Sequence, residues 1–355
     1  MQSTTLKKLE NIALTGDETI LCALKRMDKQ GRKLLIIIRD DKFAGLISIG
    51  DIQRAIIKNL PLTTPVSEII RDDIRVACIS EEMDQIKSEM ITQRIECMPV
   101  LNKSGDIVDV IFWEDIFGDL PDLPEKLDVP VAIMAGGEGT RLKPLTNVLP
   151  KPLIPIFKKT IIEDIMDQFV KTGCHDFYIS LKYKAEMIRN YLLSLQNPDY
   201  HLQFLQEEKP LGTAGSLCQL CGKVTSTFFV SYCDSIVKQD LTEVYKYHKE
   251  NRNDLTVVAA LKYMQIPYGT IQTGKDGILT SLSEKPEITY MVNSGMYILE
   301  PDTVSMIPKN EFFHITDLIL ILKKKRRRVG VFPVSEKSWH DYGLLEYLPY
   351  LQKQT

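Results

Sequence analysis

The chain has 355 residues, of which 44% are hydrophobic, so it is long enough to form more than one hydrophobic core. Its 44 lysines and arginines are balanced by 47 aspartates and glutamates, which gives a formal net charge of -3. This balance excludes an overall positive field that would attract nucleic acid or an anionic membrane, and we expect neither as a partner.

The start of the sequence has no apolar stretch of seven or more residues after a basic segment, as a secretory signal would have. No window approaches the roughly 18 consecutive apolar residues that a membrane span requires. The seven cysteines are odd in number and scattered along the chain, which is typical of reduced thiols rather than of a disulfide framework. We therefore expect a soluble, cytoplasmic protein.

An internal repeat occupies the first third of the chain. Its copies are read at 20–57 and 84–118, and a shift of 64 positions places Asp51 on Asp115. Each copy predicts a helix, two strands and a second helix, because Ile20 and Leu24 follow a helical period and the runs KLLIII and FAGLISI are rich in β-branched residues. A unit of about 60 residues has little core of its own. The two halves, about 1–60 and 65–120, are therefore expected to pack as one domain, 1–120.

This repeat resembles a tandem CBS domain pair, or Bateman module, which senses adenine nucleotides in many enzymes. In that family a turn of the form Gly-apolar-apolar-Ser/Thr-x-x-Asp holds a ribose, and Gly45, Ser48 and Asp51 match it here. Asp109 and Phe112 replace the glycine and the hydroxyl residue in the second copy, so the resemblance does not extend to a second ribose site. Ser48 and Asp51 would also serve as helix caps. Adenine-nucleotide sensing and assembly of a homo-oligomer stand as alternative roles for the pair.

A proline-rich stretch at 121–129 has no hydrophobic period and predicts a linker. From 130 to 355, apolar strands alternate with helices. The strands are VAIMA, FYISL, HLQFLQE, FFVSYCD and LTVVAALK, and the helices lie near 161–172, 185–193 and 241–250 and after Thr213. This alternation predicts a mostly parallel α/β sheet that is covered on both faces.

The stretch AGGEGTRLKPL, 135–145, directly follows the first of these strands. Ligands of open α/β sheets bind at the carboxyl ends of strands, and glycines there let backbone N–H groups approach a phosphate. Arg141 offers a planar fork to phosphate oxygens, and Lys151 supplies a point charge ten residues further along. The pattern matches neither the dinucleotide fingerprint nor the Walker A motif. It predicts a cradle for a polyphosphate.

The ordered combination of GGEGTRLKPLT and PKPLIPI resembles the signature of the sugar-1-phosphate nucleotidyltransferases, and the likeness extends over nearly all of 131–347. It implies a Rossmann-like, mixed, mostly parallel α/β domain that makes an NDP-sugar and pyrophosphate from a nucleoside triphosphate and a sugar 1-phosphate. The GTAG sequence at 212–215 is most similar to that of mannose-1-phosphate guanylyltransferases, so GTP is the favoured triphosphate. The fusion to a CBS pair resembles glucosamine-1-phosphate guanylyltransferases that serve nonulosonic acid or surface glycan synthesis.

The site residues that this resemblance implies fall into four groups. The catalytic cations are Arg141, Lys151 and Lys285. The nucleotide-binding residues are Ala135, Gly136, Gly137, Gly139, Thr140, Glu207, Gly212 and Thr213. The sugar-binding residues are Tyr268, Gly269, Glu284 and Asn293. The ligands of a magnesium ion are Asp234 and Asp341, because Mg²⁺ prefers carboxylate oxygens together with phosphate and water.

Two alternatives to a guanylyltransferase stay open at this point. A non-catalytic sugar-nucleotide sensor would usually have lost some of the Arg, Lys or Asp positions, and all of them are present here, which favours the enzyme. The same reaction with CTP, UTP or dTTP is the second alternative. Glu207 or Glu208 could accept hydrogen bonds from guanine, but base choice depends on the pocket. The run KKKRRR at 323–328 ends a predicted helix, so we do not expect it to bind nucleic acid.

Overall fold

The computed structural model describes residues 11–40, 42–71, 74–93, 95–113, 116, 126–156 and 158–342. Within these ranges, no helix combines the length and the apolar character needed to cross a bilayer. The chain divides into two compact units, Met1–Asp122 and Leu123–Thr355. The division falls inside the proline-rich stretch where the sequence predicts a linker.

The first unit contains the same arrangement of strands twice. Its elements are β1 (Ala13–Thr15), α1 (Ile20–Gln30), β2 (Leu34–Arg39), β3 (Lys42–Ser48), α2 (Ile49–Ile57), β4 (Ala77–Cys78), α3 (Met83–Gln93), β5 (Cys97–Leu101) and β6 (Ile107–Phe112). In each three-stranded sheet, the first strand runs parallel to the second and the second antiparallel to the third. The two halves thus share one topology, as the repeat predicts. The second helix predicted for the second copy, with Asp115, lies mostly outside the described residues.

Local sequence explains where α1 begins and ends. The Thr19 side chain accepts a hydrogen bond from the Cys22 N–H at the N-terminus, and Gly31 ends the helix with a left-handed φ of 64°. Ile20 and Leu24 lie on the face of the helix that is buried, as their spacing predicts.

The second unit is built on a seven-stranded sheet of order β11-β10-β7-β12-β17-β14-β18. Its elements are β7 (Val131–Met134), α4 (Leu145–Val148), β8 (Pro155–Ile156), β9 (Lys159–Thr160), α5 (Ile161–Lys171), β10 (Asp176–Leu181), α6 (Ala185–Ser194), β11 (His201–Gln206), β12 (Phe228–Tyr232), β13 (Ser235–Val237), α7 (Leu241–Glu250), β14 (Leu255–Gln265), β15 (Thr270–Thr273), β16 (Leu279–Ser283), β17 (Glu287–Leu299), α8 (Ile315–Lys324), β18 (Val329–Val334) and β19 (Trp339–Asp341). The sheet is mostly parallel, and β17 runs antiparallel to both of its neighbours, β12 and β14.

Helices cover both faces of this sheet, and β12 shows how. Phe229 packs against Phe169 of α5, with the ring centroids 5.3 Å apart. Its neighbours Phe228 and Val230 belong to a buried cluster that includes Leu318 of α8. Because successive side chains of a strand point to opposite faces, α5 and α8 lie on opposite sides of the sheet. This confirms the predicted α/β architecture.

The helix predicted after Thr213 is wrong in type. The segment forms a short 3-10 helix, Gly215–Leu220. The chain just before it is tied to another loop, since the Phe313 carbonyl accepts hydrogen bonds from the Ala214 and Gly215 N–H groups. A Cβ atom on Gly212 would lie 2.6 Å from the Phe313 oxygen. This close approach of two backbones takes the place of a regular helix.

The basic run 323–328 begins inside α8 and continues beyond its end at Lys324. Arg327 does not stay fully in solvent, because it pairs with Asp254 at 2.5 Å and with Asp302 at 2.6 Å. This part of the run stabilises the turn between α8 and β18.

Candidate active site

A cleft of about 250 Å³ opens at the carboxyl ends of β7 and β12. Most of the residues predicted to bind the nucleotide line this cleft. The lining residues are Met134, Gly136, Gly137, Gly139, Thr140, Arg141, Lys151, Glu207, Gly212, Thr213, Tyr232, Cys233 and Asp234. Ala135 is not among them, because it is fully buried and its N–H donates to the Ser180 carbonyl within the sheet. Three lining residues had no predicted role, namely Met134, Tyr232 and Cys233.

The glycine loop after β7 needs its glycines for steric reasons. Gly139 has a φ of 63°, and a Cβ there would lie 2.9 Å from the Thr146 methyl group and 3.1 Å from the Lys151 Cβ. A Cβ on Gly136 would lie 2.7 Å from a Glu207 carboxylate oxygen. The side chains of Thr146, Lys151 and Glu207 therefore pack tightly against the loop, and the loop backbone faces the cleft.

We expect Gly139→Ala to lower the free energy of unfolding by about 1–3 kcal/mol, because a left-handed φ and a crowded Cβ both penalise alanine. Urea denaturation would measure the change. Gly137→Ala is the matched control, since a Cβ at Gly137 meets nothing within 4 Å. Equal stability of the two variants would contradict this account of the loop.

Two cations and two carboxylates meet at one edge of the cleft. The Lys151 ammonium contacts a carboxylate oxygen of Asp234, and the Lys151 side chain is only 7% exposed. The Arg141 guanidinium lies 3.8 Å from Asp234 and 4.0 Å from Asp341, with 60% of its side chain exposed. Lys151 is thus held in place, whereas Arg141 can reach a ligand from solvent.

The pairing of two short strands brings the carboxylates together. β13 runs antiparallel to β19, with Ser235 opposite Asp341, so Asp234 and Asp341 lie at adjacent ends of the pair. The Trp339 indole N–H donates to the Ser235 hydroxyl at 2.6 Å, which fixes β19 against β13. Residues far apart in sequence therefore share one position beside the cleft.

The chemistry of this donor set fits a magnesium ion. Both carboxylates converge on the same guanidinium, and carboxylate oxygens are hard ligands of the kind that Mg²⁺ binds while it keeps positions for phosphate and water. In the described part of the chain, no group of three or more His, Cys, Asp or Glu side chains is placed to hold a metal. Asp234 and Asp341 are the two residues that would hold such an ion.

Glu207 supports the cleft from within the protein. It is 5% exposed, and it accepts hydrogen bonds from the Ser180 hydroxyl at 2.5 Å and from the Leu211 N–H at 3.2 Å. Both carboxylate oxygens thus already have a protein donor, while Glu208 is exposed. This arrangement ties β10 to the loop that begins at Leu211.

The predicted sugar residues lie on an arm of the second unit, which is formed by the outer parts of β14 and β17 and by the hairpin β15–β16. A Cβ on Gly269 would meet a Glu284 oxygen at 2.8 Å, so these two positions are adjacent. Tyr268 is 73% exposed, and Lys285 is exposed with a φ of 45°. Neither of these side chains lines the cleft described above. The structure thus places the predicted nucleotide residues and Asp234 around one cleft, whereas the side chains of Tyr268 and Lys285 lie outside it.

In the first unit, Ser48 and Asp51 form the capping box of α2. Burial raises the pKa of the Asp51 carboxyl, but hydrogen bonds from Ser48 and Arg71 outweigh it, so the pKa lies below its usual value. Arg54 pairs with the same carboxylate at 2.5 Å. Phe112, which replaces the hydroxyl residue in the second copy, is covered by the Arg32 guanidinium at 4.4 Å. Ser48 and Asp51 thus cap α2, and their role in binding a ribose stays a prediction.

Two family models match the chain. Residues 131–354 match the family described as nucleotidyl transferase, and residues 8–58 match the CBS domain. Similar curated proteins include a mannose-1-phosphate guanyltransferase 2 of Candida glabrata, 31% identical over 222 residues, which are 60% of this chain and 58% of that protein. A UTP–glucose-1-phosphate uridylyltransferase of Synechocystis is 28% identical over 201 residues, 52% of each. The chain thus spans about half the length of the curated relatives it matches.

Two solved structures of similar fold each match nearly two thirds of the chain. The crystal structure of HddC from Yersinia pseudotuberculosis is 26% identical, with a TM-score of 0.50, and the match covers 63% of this chain and 97% of HddC. HddC complexed with GMP-PN matches 64% of this chain and 100% of that chain, with 25% identity and a TM-score of 0.50.

Proposed function

Because the chain belongs to the nucleotidyl transferase family, we propose that it makes a GDP-sugar and pyrophosphate from GTP and a sugar 1-phosphate. The observation that carries this proposal is the cluster of Arg141, Lys151 and Asp234 beside a glycine loop in one cleft, with the Asp341 carboxylate 4.0 Å from Arg141. Such a cluster neutralises phosphate charge, which is the main task in phosphoryl-group chemistry.

In the proposed reaction, a phosphate oxygen of the sugar 1-phosphate attacks the α-phosphorus of the triphosphate. A new P–O bond forms as the bond from the α-phosphorus to the bridging oxygen breaks, and pyrophosphate leaves with that electron pair. The attacking phosphate is already an anion, so the protein needs no nucleophile and no general base. Catalysis consists of holding two anions that repel each other in line and stabilising the developing charge.

Each cation has a distinct task in this proposal. Arg141, exposed at the mouth of the cleft, binds triphosphate oxygens with its planar fork. Lys151, buried against Asp234, holds the carboxylate and supplies a fixed positive charge beneath the phosphates. Lys285 orients the sugar phosphate from the exposed arm that carries Glu284. A magnesium ion on Asp234 and Asp341 would supply further charge to the phosphate oxygens when bound.

The choice of guanine rests on the GTAG sequence at 212–215 and on the relatives. Mannose-1-phosphate guanyltransferases recur among the similar proteins, and a similar structure contains GMP-PN. A uridylyltransferase is 28% identical to this chain, so UTP stays the alternative triphosphate. Glucosamine 1-phosphate and mannose 1-phosphate are the sugars that we propose first.

We expect pyrophosphate release from GTP, Mg²⁺ and one of these sugar phosphates, with turnover at least about tenfold faster than with CTP, UTP or dTTP, because unpaired polar groups in a base pocket penalise the wrong base. A coupled pyrophosphate assay over the four triphosphates would measure it. Faster turnover with another base would move the proposal to that nucleotide. Binding of a GDP-sugar without any turnover would instead favour a non-catalytic sensor.

A further inference from the structure

Tyr232 is the last residue of β12 and lines the cleft two residues before Asp234. β12 lies between β7, which leads into the glycine loop, and β17, which continues into the arm with the predicted sugar residues. Tyr232 therefore stands at the junction of the phosphate half and the sugar half of the site.

A line of hydrogen bonds runs from β17 to the Tyr232 phenol. The Asn293 amide donates to the Tyr297 hydroxyl at 2.6 Å, and the Tyr297 hydroxyl donates to the Tyr232 oxygen at 3.4 Å. The Asn293 carbonyl oxygen accepts from the Gly295 N–H at 3.1 Å, which fixes the orientation of the amide. Because the amide nitrogen can only donate, Tyr297 uses its own proton toward Tyr232. The Tyr232 proton is then directed to an acceptor other than Tyr297.

The Tyr232 ring is held as firmly as its hydroxyl. It packs on the Tyr297 ring, with centroids 5.8 Å apart, and Tyr297 is fully buried. A Cβ on Gly295 would lie 2.8 Å from a Tyr232 ring carbon, so the ring rests on a bare stretch of β17 backbone.

We propose that Tyr232 donates a hydrogen bond to an oxygen of the sugar 1-phosphate, and that Asn293 and Tyr297 are positioning residues for the Tyr232 phenol. This inference rests on the proposed function. It assigns Tyr232 to the sugar phosphate rather than to GTP, because the hydrogen bond from Tyr297 and the packing of the ring both come from β17, although the phenol also contacts Thr213 on the nucleotide side. Asn293, whose amide is engaged at both ends inside the protein, then acts through the two tyrosines.

Tyr232→Phe removes only the hydroxyl and tests the proposal by steady-state kinetics of pyrophosphate release. We expect the KM for the sugar 1-phosphate to rise about fivefold, the effect of one neutral hydrogen bond, while the KM for GTP changes less than about twofold. Tyr297→Phe is expected to shift the same KM in the same direction. The double variant should match Tyr232→Phe alone, because both substitutions break one line of contacts.

Tyr200→Phe is the matched control, since it also removes a phenol that donates to a protein partner, Asp167, and Tyr200 does not line the cleft. It should leave both KM values unchanged. An active wild type whose Tyr232→Phe variant keeps the KM for sugar phosphate, or raises both KM values equally, would overturn the inference and leave the proposed function intact. Additive effects in the double variant would overturn the positioning role of Tyr297. A wild type that releases no pyrophosphate with any substrate pair would overturn the proposed function and this inference with it.

Discussion

Arg141→Ala is expected to lower the rate of pyrophosphate release by about 100-fold or more, the effect typical of losing one fixed charge-stabilising donor. The fold should survive, because the Arg141 side chain is 60% exposed and its contacts with Asp234 and Asp341 are long, at 3.8 and 4.0 Å. Single-turnover measurement with saturating GTP would show whether the loss lies in the chemical step. Circular dichroism would verify the fold.

Lys143→Ala provides a control for charge alone in the same loop. Lys143 is 49% exposed, lies 4.0 Å from Glu138 and does not line the cleft. Its removal should change turnover by less than about twofold, as expected for an exposed charge away from the reacting groups. Arg141→Lys should recover only part of the rate, because an ammonium lacks the planar fork. Near-normal turnover of Arg141→Ala would remove Arg141 from the proposed machinery.

The part of the site that the sequence predicts is the part with a local cause. The glycine loop follows β7 directly, and its conformation needs glycine at Gly139 whatever surrounds it. The strand-and-helix alternation depends on hydrophobic period, so the α/β sheet could be predicted as well. The first CBS copy carries its own helix cap at Ser48 and Asp51, within four residues.

Features that depend on contacts between distant segments could not be predicted from spacing. Lys151 meets Asp234 across 83 positions of the chain, and the sequence gives no sign that the ammonium is buried against it. The 3-10 helix after Thr213 arises from a loop around Phe313, about a hundred residues away, which replaces the predicted helix. The line from Asn293 to Tyr232 depends in the same way on a contact between distant segments, here between β17 and β12.

Asp234→Asn is expected to remove most pyrophosphate release, by about 100-fold or more, because it takes one charged ligand from the proposed magnesium site and loosens the position of Lys151. It should also lower the free energy of unfolding by about 1–3 kcal/mol, because an ammonium without its carboxylate is costly to bury. Lys151 has 7% of its side chain exposed, so water cannot fully replace the lost partner. Urea denaturation and the pyrophosphate assay together measure both effects.

Asp341→Asn separates the two consequences. Asp341 would be the second magnesium ligand, and its ion pair with the exposed Arg141 is long, at 4.0 Å, unlike the contact between Asp234 and the buried Lys151. We therefore expect Asp341→Asn to lose turnover as severely as Asp234→Asn while losing less stability. Mn²⁺ binding in the presence of GTP, followed by electron paramagnetic resonance, should weaken in both variants. If Asp341→Asn kept its turnover and its Mn²⁺ affinity, the loss in Asp234→Asn would reflect the broken Lys151 pair alone, and two carboxylates sharing one ion would no longer explain the site.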